Sequence, residues 1–113
     1  MGVRKDLDSK KVRFIYYLCD GDIVIYVGTS ANPKSRYKTH LKRIKTDNAL
    51  LYKYCRFKNI IPSLQIKAKL TGTYQNAEKL EIDHIHKNSD TVLNFYNNPN
   101  KENYYKQLEK VNG

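Results

Sequence analysis

Two consecutive runs, Val-Arg-Phe-Ile-Tyr-Tyr-Leu-Cys at 12–19 and Ile-Val-Ile-Tyr-Val-Gly at 23–28, flank Asp20-Gly21-Asp22. Their β-branched and aromatic residues make each run a strand, and the Asp-Gly signal between them closes a hairpin. Apart from Arg13, both strands are apolar on both faces. A hairpin with one wet face would alternate apolar and polar residues. This one must therefore be central, with other elements covering both of its sides.

The rest of the chain supplies that cover. Asn32-Pro33 reads as a helix start, with Asn32 as N-cap and Pro33 in the first turn. The helix runs to about residue 44. Its inner arc holds Pro33, Tyr37, His40, Leu41 and Ile44, with Arg36 at the border, while Lys34, Ser35, Lys38, Thr39, Lys42 and Arg43 face out. Asp47 or Asn48 caps a second helix over 49–58, whose apolar members are Leu50, Leu51, Tyr54, Cys55 and Phe57. Residues 64–70 alternate, which predicts a third strand with one wet face. Thr73 is a candidate N-cap for the helix that follows. After a short apolar segment at 91–96, Asn100 caps a last helix over 101–111. The expected fold is α+β: a small three-stranded antiparallel or mixed sheet in the order β-β-α-α-β-α, flanked by helices, plus a C-terminal helix. Residues 1–11 form a basic arm, 12–96 the domain and 97–113 a tail.

One helical residue is out of place. At 100° per residue, Ala77, Glu78, Leu80, Glu81, Ile82, His84 and Ile85 share one broad arc, with Glu81 near its middle. An ionised carboxylate on a packing face costs several kcal/mol unless a cation or strong donors meet it. A divalent cation or an ion pair with Arg36 would each do so. His84 and His86 cannot chelate a zinc ion together, because they project roughly 160° apart on a helix.

The 113 residues carry a formal charge of +10, from 21 Lys and Arg against 11 acidic residues, which favours a polyanionic partner. Cys19 and Cys55 each lie in an apolar periodic segment and read as small buried hydrophobes in a reducing compartment. No apolar run approaches the roughly 20 residues that span a bilayer, and no secretory signal opens the chain. The expectation is a cytoplasmic protein with a nucleic-acid partner and no membrane partner.

Phe14-Ile15-Tyr16 and Tyr26-Val27-Gly28 stand on the two hairpin strands, Arg36 and His40 are four residues apart on the first helix, Glu81 precedes Ile85 by four, and Asn94 follows Leu93. In this order and spacing the chain resembles the GIY-YIG endonuclease superfamily over residues 12 to about 95. Phe14 stands where that pattern has Gly, a position that carries no functional group.

The resemblance implies a divalent-metal-dependent DNA endonuclease, of the compact kind that suits a phage or mobile element. Glu81 would bind Mg²⁺ (or Mn²⁺). Tyr16 would accept a proton from the attacking water or orient it, and Tyr26 would hold the water or the scissile phosphate. Arg36 would donate to the phosphate, His40 would hydrogen-bond the nucleophile or pass a proton, and Asn94 would fix backbone or tyrosine geometry. One protomer would nick, leaving 5′-phosphate and 3′-hydroxyl ends. Lys34, Lys38, Lys42, Arg43 and Lys45, with Arg4, Lys5, Lys10 and Lys11 of the arm, would contact DNA phosphates. Specificity would be low, or come from a homodimer on DNA or a partner protein. Tyr17, Tyr52, Tyr54 and Tyr96 read as core. The competing readings are a catalytically inactive nucleic-acid-binding module of the same kind and a basic scaffold protein.

Overall fold

The structure is a computed structural model and describes residues 12–71 and 74–112. The basic arm and Thr73 lie outside the described residues. In chain order the elements are β1 (Arg13–Asp20), β2 (Ile23–Ser30), α1 (Pro33–Ile44), α2 (Leu50–Lys58), β3 (Ser63–Leu70), α3 (Tyr74–Lys87) and α4 (Lys101–Asn112). The sheet is antiparallel throughout, in the order β2-β1-β3, and the fold is α+β as expected. Among the described residues no helix is long and apolar enough to cross a membrane.

β1 is the central strand, which accounts for its lack of alternation. Its Ile15, Tyr16, Tyr17, Leu18 and Cys19 are all buried. Tyr16 and Leu18 pack with Leu50, Leu51, Tyr52, Tyr54 and Cys55 of α2, joined by Tyr37 and Ile44 of α1. Ile15, Tyr17 and Cys19 pack on the other face with Val27, Val92 and Ile85 of α3. Helices thus cover both faces of the sheet. Gly21 turns the hairpin at φ +60°, a conformation an L side chain would strain.

The hairpin is not central as a whole, because β2 forms one edge of the sheet. The segment after α3 covers that edge. The Leu93 N–H donates to the Ile25 carbonyl at 2.8 Å. The Asn94 side chain then takes both outward-facing groups of Val27, accepting from its N–H at 3.1 Å and donating to its carbonyl at 2.9 Å. One amide side chain and one backbone amide thus meet three backbone groups in the middle of the β2 edge without a fourth strand.

β3 departs from the single wet face that its alternation predicts. Tyr16 pairs with Ile66 but Ile15 pairs with Ala68, so Lys67 is an extra, bulged residue. Leu64 therefore joins the α2 side of the core, while Ala68 and Leu70 join the α3 side. Ile66 is left 50 % exposed.

α1 begins as expected: Asn32 Oδ1 accepts from the Ser35 N–H at 3.2 Å, with Pro33 next in line. α2 begins one residue later than expected, with Ala49 as N-cap, and Asp47 Oδ1 accepts from the Ala49 N–H at 3.0 Å. Phe57 was expected on the inner side of α2 but stands exposed. Burial of Tyr52 turns the inner arc of α2 so that its centre lies roughly 110° from Phe57. Asn100 Oδ1 accepts from the Asn103 N–H at 3.1 Å and starts α4. Tyr104, Leu108 and Val111 pack on the α2 side of the core, so this helix belongs to the same body as the sheet.

Candidate active site

The strand tyrosines and the first helix meet above β1. The Tyr16 hydroxyl lies 2.8 Å from Nε2 of His40, and Nδ1 of His40 lies 2.9 Å from the Tyr52 hydroxyl. All three side chains are buried, so a chain of three polar groups crosses the interior with each member hydrogen-bonded. The Tyr26 ring meets the His40 ring edge-on at 5.2 Å and lies 6.3 Å from that of Tyr16. Gly28, the cross-strand neighbour of Tyr16, gives the Tyr16 ring its room. Arg36, one turn before His40, is exposed, and its guanidinium acts on the Tyr16 hydroxyl from the solvent side.

Electrostatics fix the protonation of this cluster. Burial, with Arg36 and Arg43 nearby, pushes His40 down to about 4, so at neutral pH its ring is uncharged. One ring nitrogen then donates and the other accepts, which leaves Tyr16 and Tyr52 in opposite roles toward it. Burial and the neighbouring Tyr26 push the Tyr16 phenol well above its ordinary value, against the pull of Arg36. Burial and Glu81 likewise raise Tyr26. Both tyrosines are therefore neutral phenols here. Of the two roles considered for Tyr16, orienting a water suits this ground state better than acting as a phenolate base.

Glu81 reaches the same region from the opposite side of the sheet. It lies one turn from each of the buried Ala77 and Ile85, is itself half-buried, and lines a cleft of about 410 Å³ together with Tyr26, Tyr52, Arg43 and Asn94. Burial and the nearby Glu78 raise its carboxyl above the usual range, and Arg13 acts the other way. Arg13 is a cation whose field reaches Glu81, while Arg36 acts on the tyrosine–histidine cluster. Among the described residues no three His, Cys, Asp or Glu side chains gather as a metal-holding group. The donor set fits a hard cation that takes one carboxylate and keeps most of its water.

The structure brings Tyr26, Glu81, Asn94 and Arg43 to the cleft, with Tyr16 and His40 packed against the Tyr26 ring and the exposed Arg36 near enough to act on Tyr26 and Tyr16. Asn94 acts on the Val27 backbone and so holds the strand between Tyr26 and Gly28. Lys34, Lys38, Lys42 and Lys45 are exposed on α1 and the turn after it, outside the cleft. Arg4, Lys5, Lys10 and Lys11 lie outside the described residues. His84 turns away from Glu81: its Nδ1 is 2.6 Å from the Tyr17 hydroxyl, which also accepts from Asn88 Nδ2 at 3.2 Å.

Two residues of the site were not singled out from sequence. Tyr52, read as core, is buried but also closes the His40 relay and lines the cleft. Its aromatic character signals burial, but helical periodicity leaves it off the inner arc and nothing in the sequence signals its partner. Arg13 is the one charge in an apolar strand, and that anomaly is the clue the sequence offers. Tyr96, also read as core, stands 79 % exposed at the rim of the cleft, because Asn97 turns the chain outward there in a left-handed conformation.

No protein-family model, curated protein or solved structure matches this chain.

Proposed function

We propose that this chain is a metal-dependent DNA endonuclease of the GIY-YIG kind, acting on DNA in the cytoplasm. One observation carries the reading. Glu81, a half-buried carboxylate with a raised pKa, acts on Tyr26, and behind Tyr26 lies the Arg36–Tyr16–His40–Tyr52 cluster. Perturbed groups drawn from four separate elements into one place are the mark of a site built for chemistry. The excess of cations and the buried free thiols of Cys19 and Cys55 agree with a nucleic-acid partner in a reducing compartment.

In this reading Glu81 holds Mg²⁺ or Mn²⁺. The bound ion supplies Lewis-acid stabilisation of charge on the leaving oxygen. The protein's own groups do the rest. Tyr26, at the cleft, positions the scissile phosphate or the attacking water by its hydroxyl. Water adds to phosphorus as the bond from phosphorus to the 3′ oxygen breaks; the water gives up one proton and the departing 3′ oxygen takes one from solvent, leaving 5′-phosphate and 3′-hydroxyl ends. Arg36 offsets the charge that builds on the non-bridging oxygens, which its planar fork suits. Neutral His40 accepts a proton at one nitrogen while donating from the other, so Tyr16, His40 and Tyr52 can pass a proton without a buried charge persisting. One such site cuts one strand, and a double-strand break needs two protomers or two events.

Incubation with supercoiled plasmid and Mg²⁺ tests this directly. Wild type should convert it to open circle, and Glu81→Ala should not. Tight plasmid binding without nicking, across several divalent metals and salt concentrations, would leave a binding module and sink the enzyme.

A further inference from the structure

The rim of the cleft carries a ladder of aromatic rings that the chemistry above does not use. Phe95 meets Tyr96 edge-on at 5.3 Å, Phe95 meets Tyr104 at 5.3 Å, and Tyr104 meets Tyr105 at 5.4 Å. Phe95, Tyr96 and Tyr105 are 42 %, 79 % and 52 % exposed, although the chain has only three Phe and no Trp to spend on its core. Packing alone does not account for Phe95 and Tyr96 left side by side in water at the cleft, with Tyr105 continuing the ladder beyond Tyr104 and outside the cleft. Phe95 is pinned between Tyr104 and Lys101, whose Nζ stands 4.3 Å from the ring centre. Tyr96, held edge-on by Phe95, presents an open ring face. Phe95, Tyr96 and Tyr104 line the same cleft as Tyr26 and Glu81.

We infer that this ladder stacks an unpaired nucleobase beside the cleft, so that the preferred substrate is DNA with single-stranded nucleotides at or next to the cut. The inference rests on the nuclease reading of the same cleft. The surroundings select a nucleotide among planar ligands. Arg43 stands on the cleft wall, where it can meet a phosphate, and Lys101, whose ammonium donates to the Phe95 carbonyl, adds positive charge beside the ladder, in a chain of net charge +10. Asp47, the acidic group on that wall besides Glu81, accepts from the Ala49 backbone. A base inside a duplex has both faces covered by its neighbours. Only an unstacked base offers a face to Tyr96, and any of the four bases can do so, which makes the contact selective for strandedness and tolerant of sequence.

The test is equilibrium binding by fluorescence anisotropy with metal-free Glu81→Ala protein, which binds without cutting. The probes are a labelled oligothymidylate, the same strand with a run of abasic sites, and a duplex of equal length. Tyr96→Ala should weaken the single strand by about five- to a hundredfold, the scale of one lost stacking contact, and the duplex by less than about twofold. The abasic strand should bind wild type as weakly as the intact strand binds Tyr96→Ala, with no further loss when both changes are combined. Tyr96→Phe should restore binding. Because Tyr96 is so exposed, its loss leaves the core intact. Equal effects of Tyr96→Ala on single strand and duplex, or no effect on either, overturn the inference; if wild type still nicks plasmid, only the stacking falls. No binding to any probe together with no nicking removes both readings.

Discussion

A Cβ placed on Gly28 would lie 2.5 Å from both Cζ and Oη of Tyr16, so the two residues share one space across the hairpin. Glycine at 28 is thus a packing requirement of the tyrosine opposite it, independent of backbone torsion. The buried Tyr16 ring has nowhere to retreat, being held by His40 at its hydroxyl. Gly28→Ala should cost about 1–3 kcal/mol of stability, read as a lower urea midpoint, because the core is overfilled. On the nuclease reading proposed above it should also lower nicking by about a hundredfold, since a displacement of about 1 Å is enough to misplace a reacting group.

Glu81 should weaken the fold that holds it. Its carboxyl has a raised pKa in the folded state, from burial and Glu78. Between the ordinary glutamate value and that raised value the folded chain binds more protons than the unfolded one, so stability falls as pH rises through the window. Above the window the penalty is constant, and below the ordinary value of about 4.3 it is absent. Glu81→Gln should therefore be the more stable protein at neutral pH by about 0.5–2 kcal/mol, as expected for a relieved functional site. Its advantage should vanish in acid. Thermal melts of both proteins between acid and neutral pH check this, with plasmid nicking lost in the variant throughout.

His40 gives a slope of the opposite sign. Its folded pKa of about 4 lies below the ordinary value of about 6.5, so in that interval the unfolded chain binds the extra proton. Stability supplied by the neutral ring is complete above about pH 6.5 and is lost as pH falls toward 4, by roughly 3 kcal/mol in all. His40→Gln should melt at a lower temperature at neutral pH, because the Tyr16 and Tyr52 hydroxyls lose their partner, but with a flatter acid slope. In wild type, NMR should find the His40 imidazole still neutral at pH 6. An imidazolium at that pH would refute the buried relay.

What the sequence disclosed was what short range determines. The Asn32 cap and the Pro33 start involve neighbours, as does the Asn100 cap, and all are present as expected. The unalternating hairpin declared that helices must cover both faces, and they do. Glu81 announced itself as a charge on a packing face. What stayed hidden depends on partners far along the chain. The bulge at Lys67 preserves a clean alternation in sequence while moving Ala68 and Leu70 to the other face of the sheet. Helical periodicity left Tyr52 off the inner arc of α2, and reading it as an ordinary core tyrosine did not disclose the hydrogen bond to His40. The same limit applied to Arg13, whose field meets Glu81 only once β1 and α3 are packed. Tyr96 looked apolar enough for the core, yet the turn at Asn97 carries it outward.

The Asn94 clasp on Val27 has a consequence for how the protein is made. The two residues are 67 positions apart, so a chain leaving the ribosome presents the outer edge of β2 long before the group that closes it exists. Until then the Ile25 carbonyl and both polar groups of Val27 are open to any other extended strand, in an apolar hairpin suited to such pairing. Completion of the sheet must wait for the 91–96 segment, a long-range closure of the kind that slows folding. Fragments ending between Leu70 and Asn94 should therefore aggregate during synthesis even though they contain all three strands.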